Sequence, residues 1–194
     1  MPSYSALLFG TNNANKVSEI REILGNAFTV YSLRERDIDL EPEETEPTLA
    51  GNALLKARAF YEASGLPCFA DDTGLEVDAL DGRPGVYSAR YAGVAATYAE
   101  NVQKLLQEME GQSLRTARFR TVIAFVDGVA EYTFDGVVEG QITKAPRGAR
   151  GFGYDPVFLP AGQALTFAEM DPTAKHAISH RGKAVRAFAA FLRA

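Results

Sequence analysis

The sequence predicts an α/β fold: a mixed sheet with flanking helices, in a single domain over residues 1–194 with two lobes and a central cleft. Three observations lead there. Short apolar runs of strand length alternate with stretches whose apolar residues recur at helical spacing. Asp127-Gly128 between two strand-like runs is a hairpin signal, so part of the sheet is antiparallel. The acidic stretch around Glu35–Glu46 and the hairpin interrupt the pattern and are the expected material of a second lobe.

Taken in order, Ser5 to Phe9 reads as a buried strand ending at Gly10-Thr11. Val17, Ile20, Ile23 and Leu24 then mark a helix, with Gly25 as its stop. Phe28 to Leu33 is a second strand, and a loop punctuated by Pro42 and Pro47 follows. Leu49 to Ala63 is helical, with Leu54, Leu55, Ala59 and Phe60 on one side and Gly65 past its end. Cys68-Phe69-Ala70 is a short strand running into Asp71-Asp72, and Gly82, Pro84 and Gly85 mark a turn. Thr97 with Glu100 forms a capping box opening a helix to about Met109. Arg118 to Val126 and Ala130 to Val138 are the hairpin strands. Lys144 to Tyr154 is a loop rich in Gly and Arg. Asp171-Pro172 has the form of a helix start, and Val185, Phe188, Ala189 and Leu192 give the last helix its core face.

Composition sets limits on function. One Cys excludes a disulfide scaffold and a Cys-based zinc site, and two His exclude a multi-His zinc site. A net charge of −5 argues against a general nucleic-acid coat, so no nucleic acid polymer is expected as partner. No apolar run approaches the roughly 18 residues of a membrane span, and Met1 to Ser5 lack a signal-peptide pattern. A cytoplasmic protein without a membrane partner is the expectation.

The charge is unevenly distributed. Acid gathers at Glu35, Asp37, Asp39, Glu41, Glu43, Glu44 and Glu46, and again at Asp71, Asp72, Glu76, Asp78 and Asp81. Base gathers late, at Lys144, Arg147 and Arg150 and then Lys175, Arg181, Lys183 and Arg186. Separate acidic and basic segments suit a metal and an anion respectively, although each run also reads as a solvated surface.

Four segments carry the chemistry. Thr11-Asn12-Asn13-Ala14-Asn15-Lys16 lies between a strand and a helix, where free backbone N–H groups and the Lys16 charge would hold a polyphosphate. The alternative is an N-cap by Asn13 with a solvated Lys. At the end of a strand, the carboxylates of Asp71-Asp72-Thr73-Gly74 suit Mg²⁺ or a general base for water, or else an Asx-turn. Phe152-Gly153-Tyr154-Asp155 follows Gly148 and Gly151; its aromatics either stack on a base or belong to the core. Lys175 and Ser179-His180-Arg181 place a point charge, a ring donor and a planar guanidinium before the last helix.

In this order, together with Glu43-Glu44-Thr45, Asn52 to Lys56 and Pro84 to Tyr91, the segments resemble the inosine/xanthosine triphosphate pyrophosphatase family along almost the whole chain. The resemblance implies Mg²⁺-dependent hydrolysis of ITP, dITP and XTP to monophosphate and pyrophosphate, by a homodimer with the nucleotide in the cleft between its lobes. It assigns Asp72 as the catalytic base, and Glu44, Asp72 and Asp71 as metal-site carboxylates. It places Thr11, Asn12, Asn13, Ala14, Asn15, Lys16 and Lys56 near the phosphates. Thr73, Phe152, Gly153, Tyr154, Asp155, Lys175, His180 and Arg181 would contact nucleotide. The family often carries Gly where Asn15 stands, and Asn is the substitute that tolerates a left-handed backbone. A pyrophosphatase for other modified nucleotides and a nucleotide sensor without turnover are the alternatives.

Overall fold

A computed structural model describes Tyr4 and residues 6–194. Ser5, the expected start of the first strand, lies outside the described residues, as do Met1 to Ser3. In chain order the elements are β1 (Ala6–Phe9), α1 (Ala14–Leu24), β2 (Thr29–Ser32), α2 (Leu49–Ser64), β3 (Cys68–Val77), β4 (Pro84–Gly85), α3 (Tyr98–Glu108), β5 (Thr116–Val126), β6 (Glu131–Ile142), β7 (Phe158–Pro160), α4 (Pro172–Ile178) and α5 (His180–Arg193). The strands bond in the order β2-β1-β3-β5-β6-β7, with β4 on β3. β1 is parallel to both β2 and β3, whereas β4 on β3 and β7 on β6 are antiparallel. The sheet is therefore mixed, as the sequence predicts.

The chain forms two compact units. The first comprises the described residues up to Asp72 with Thr121–Gly136 and Arg181–Ala194, so the acidic stretch and the hairpin turn, expected in a second lobe, group instead with β1 and α1. Its β1 is covered on both sides, as expected of a parallel strand. Leu7 and Phe9 join the core with Val17, Ile20, Phe69, Phe125, Val185 and Phe188. Leu8 points the other way, toward Leu33, Phe60 and Cys68. The Phe9 and Phe69 rings stack 4.6 Å apart. Gly10 follows β1, and a side chain there would meet the Phe60 ring at 2.3 Å, which favours glycine between β1 and the loop that follows.

The second unit comprises Thr73–Arg120 and Val137–His180. Its core gathers Leu75, Val77, Leu105, Phe119, Val157, Phe158 and Phe167. α3 starts at the expected capping box: Thr97 accepts from the Glu100 N–H and Glu100 accepts from the Thr97 N–H. The second acidic segment divides here. Glu76 and Asp78 meet Arg120 and Arg118 at 3.2 and 2.9 Å, so they are strand-pair charges and not part of a metal site. β3 runs on through Val77, well beyond the expected Ala70, because Leu75 and Val77 continue the buried pattern past the two aspartates. Among the described residues no helix is long and apolar enough to cross a membrane.

Candidate active site

In the first unit the loop after β1 enters α1 with the Asn13 side chain accepting from the N–H groups of Asn15 (3.0 Å) and Lys16 (3.3 Å). Asn13 is thus the helix cap, one of the two readings open from sequence. Lys16 is not the solvated residue that reading supposed. Its ammonium meets Asp71 Oδ1 at 2.9 Å, and Asp71 Oδ2 takes the Arg181 guanidinium at 3.3 Å. The other arm of Arg181 donates to Glu19 on α1. Burial alone would raise the Asp71 carboxyl, but Lys16 and Arg181 outweigh it and hold it well below the usual carboxylate range. Burial lowers Lys16, against the pull of Asp71. Two cations and two carboxylates make this group electrically balanced.

Asp72, the next residue on β3, serves a second group. Side chains alternate along a strand, so consecutive aspartates meet different partners. The Lys56 ammonium, from α2, lies 3.2 Å from Asp72 Oδ1 and 2.6 Å from Glu44 Oε1. The buried Asn52, one turn before Lys56, accepts from the Glu46 N–H at 2.9 Å and directs its amide toward Asp72 Oδ2 at 3.5 Å. Burial raises Asp72 and Glu44 raises it further, and Lys56 and Lys16 reverse this only in part, so the carboxyl stands above its ordinary value. Lys56 is itself raised: burial opposes its charge, but Asp72, Glu44 and Asp71 prevail. One ammonium between two carboxylates leaves a surplus negative charge.

In the second unit, Phe152 is half-buried, 5.9 Å from the Tyr98 ring, with the Lys175 ammonium 5.3 Å from its own ring centre. The loop is fastened at Asp155, which accepts from the Phe152 N–H at 2.9 Å and meets Lys175 at 2.8 Å. Gly151 lies at φ +71°, and a side chain there would strike Asp155 Oδ2 at 2.0 Å. His180, buried, stacks on Phe119 at 4.5 Å.

The model of the Ham1 family matches residues 7–191. The chain belongs to the Ham1 family. It is 53% identical to the dITP/XTP pyrophosphatase of Chlorobaculum tepidum over 94% of this chain and 90% of that protein. It is 50% identical to the dITP/XTP pyrophosphatase of Porphyromonas gingivalis over 96% of each. A HAM1 protein from Coxiella burnetii superposes with a TM-score of 0.89 at 40% identity, covering 97% of this chain and 98% of that one.

The structure refines several expectations about this Ham1 chain. Asp71 and Asp72 stand inside a strand, not at its end or in an Asx-turn, and pair with different cations. Asp71, expected at the metal, is occupied by Lys16 and Arg181. Tyr154, expected on the nucleotide, is buried in the second unit's core with its hydroxyl donating to the Ser88 carbonyl at 2.8 Å. Asp155 and Lys175 are buried against each other and fix the Phe152 loop. Arg181 gives both terminal nitrogens to carboxylates. Asn15 lies in the first turn of α1 and not among the residues of positive φ, so its tolerance of that conformation is not used. Thr11 accepts from the Asn13 N–H at 3.2 Å; Asn12 and Ala14 are exposed beside it, Thr73 is half-buried on β3, and Gly153 has positive φ.

Two residues of these Ham1 clusters had no role from sequence. Glu19 follows Lys16 by one turn of α1, a spacing that puts both on one helix face. Asn52 likewise precedes Lys56 by one turn of α2. A polar residue within an otherwise apolar helical stripe was the available sign of Asn52.

The donor chemistry fits Mg²⁺. Glu44 and Asp72 offer hard carboxylate oxygens with net negative charge, and Mg²⁺ is commonly held by one or two carboxylates with water and substrate phosphates. Among the described residues, no three His, Cys, Asp or Glu side chains gather as a cluster that would enclose a metal without a substrate.

Proposed function

We propose that this chain hydrolyses dITP, ITP and XTP to the corresponding monophosphate and pyrophosphate in a Mg²⁺-dependent reaction. Relatives of half-identical sequence named dITP/XTP pyrophosphatases support the reaction class. The observation that carries the mechanism is the buried Asp72 carboxylate on β3, 3.2 Å from the Lys56 ammonium that also meets Glu44 at 2.6 Å.

Asp72 takes a proton from the water that attacks the α-phosphorus, and the bond to the pyrophosphate oxygen breaks. Lys16 and Lys56 hold phosphate oxygens, and the cap of α1 adds N–H dipoles. Glu44 and Asp72 would hold Mg²⁺, which supplies charge stabilisation at phosphate oxygens when bound. Asp71, fixed between Lys16 and Arg181, keeps the Lys16 ammonium in place. Phe152 stacks on the base, with Asp155 and Lys175 setting its loop. A homodimer in the cytoplasm belongs to the same proposal; light scattering of the purified chain tests the dimer.

Pyrophosphate release measured over ITP, dITP, XTP, GTP and ATP, with Mg²⁺ and with chelator, is the test. The expected outcome is Mg²⁺-dependent turnover of ITP, dITP and XTP far above that of ATP and GTP. A site whose donors await a 6-oxygen leaves them unpaired against the adenine amino group, and such sites discriminate by about 10⁴–10⁵-fold at best. Equal efficiency on ATP and ITP would remove the substrate class.

A further inference from the structure

We propose that Lys56 is a resident cation that occupies the Glu44–Asp72 carboxylate pair in the free protein and must leave it for a divalent metal to bind, so that the metal enters together with the nucleotide. This rests on the reading that Glu44 and Asp72 hold the metal.

Three elements converge on one ammonium. Glu44 comes from the loop before α2, Lys56 from α2 and Asp72 from β3. The ammonium is 2.6 Å from one carboxylate and 3.2 Å from the other, and the three side chains are only 12%, 22% and 9% exposed for Lys56, Glu44 and Asp72. A Mg²⁺ ion held by these carboxylates would compete with Lys56 for their charge, since the ammonium already contacts one oxygen of each. A divalent cation drawing on the same two carboxylates would stand within a few Å of the ammonium. Like charges a few Å apart in a half-dry site repel strongly, so Lys56 opposes entry of a bare divalent cation.

The lysine stem provides the release. Its four-carbon stem is flexible, and its ammonium bonds phosphate as well as carboxylate. A nucleotide triphosphate brings the negative charge that Lys56 would exchange for Glu44 and Asp72. Metal and nucleotide are then coupled: each promotes the binding of the other through the position of one side chain, and the coupling is reciprocal. Lys16 has no such part, since its partner Asp71 also faces Arg181 and the group is already neutral.

Mn²⁺ serves as the probe, with free ion measured by electron paramagnetic resonance on the full chain without nucleotide. Wild type is expected to bind weakly. Lys56→Gln should bind at least about tenfold more tightly, the scale of removing one like charge a few Å away in a site of intermediate dielectric. Lys56→Arg keeps the charge and should stay as weak as wild type. Glu44→Gln should weaken binding, and Lys56→Gln with Glu44→Gln should lose the gain. Circular dichroism checks folding; Lys56→Met, neutral and of similar length, is the second variant, and either folded variant decides. If the neutral variants bind no more tightly than wild type while Glu44→Gln weakens binding, the resident-cation role is overturned and the metal assignment stands. If Glu44→Gln changes nothing, or the double variant keeps the gain, the ion binds elsewhere and both readings fall.

Discussion

The charged cluster of the first unit is built on half-buried lysines and the aromatic cluster of the second on a buried one, and they use them differently. Lys16 and Lys56 belong to networks in which carboxylates and cations share partners. Lys175 is buried against Asp155, beneath the ring of Phe152. In a network a group that gives up one contact can keep another, as Asp71 would keep Arg181. A close buried pair is suited to holding a loop still. The first arrangement suits ligands that exchange charge with the protein, and the second suits a surface that a planar ligand meets.

The largest expected effect lies in the first cluster. Asp72→Asn should lower kcat by about 10²–10⁴-fold, the usual contribution of a general base, with the fold unchanged by circular dichroism. The amide keeps the shape but accepts no proton. Turnover within a few-fold of wild type would take Asp72 out of the reaction.

Next comes a stability contrast between the two lysines. Lys175→Met leaves the buried Asp155 without its 2.8 Å ammonium. Breaking a buried pair costs about 3–5 kcal/mol, which in a chain of this size lowers Tm by about 6–20 °C. Lys16→Met should cost less, because Asp71 still faces Arg181. Adding Asp155→Asn to Lys175→Met should recover part of the loss. Calorimetry that ranks Lys16→Met as the more damaging change would reverse the comparison.

Acid should separate the two clusters as well. Lys16 and Arg181 depress the Asp71 carboxyl in the folded state despite its burial. A depressed carboxylate adds stability above its unfolded value, near 3.9, and loses it as pH falls through the folded value. The loss begins at about pH 4 and continues below it, with a slope of at most about 1.4 kcal/mol per pH unit from this one group. Asp71→Asn should be less stable than wild type at neutral pH and should show a shallower decline in acid. Denaturant melts at several pH values between neutral and acid measure both; an unchanged slope would show that the depressed Asp71 does not contribute.

These distinctions mark where sequence reading stops. Periodicity and turn chemistry located nearly every element: the Asn13 cap, the Thr97–Glu100 capping box and Gly65 at the end of α2 are local and visible in a few residues. The order of motifs named the family, since each motif is a short run. Partner choice is not local. The pairing of Asp71 with Arg181 spans much of the chain, and so does the pairing of Arg181 with Glu19. Composition assigned acid to the metal and base to the substrate, but folding neutralised much of each with the other. The length of β3 was missed because two adjacent aspartates look like the end of a strand; their opposite cations, brought by α1, α2 and α5, allow the strand to continue.

The smallest expected effect concerns Phe152. Stacking on an aromatic ring contributes about 1–3 kcal/mol per base and does not read base edges. Phe152→Ala should therefore weaken ITP, XTP and ATP by a common factor and leave their ranking as it was. The loop provides an independent check that keeps the ring. Gly151→Ala puts a methyl group 2.0 Å from Asp155 Oδ2 at a φ of +71°, so the contact between Asp155 and the Phe152 N–H cannot persist. If ring position is what the nucleotide meets, Gly151→Ala should reproduce the uniform loss of Phe152→Ala although every atom of the ring is present. Competition binding with the three nucleotides measures both variants side by side. A loss confined to one base, in either variant, would mean that this loop reads base edges and that its aromatic ring is not a stacking platform.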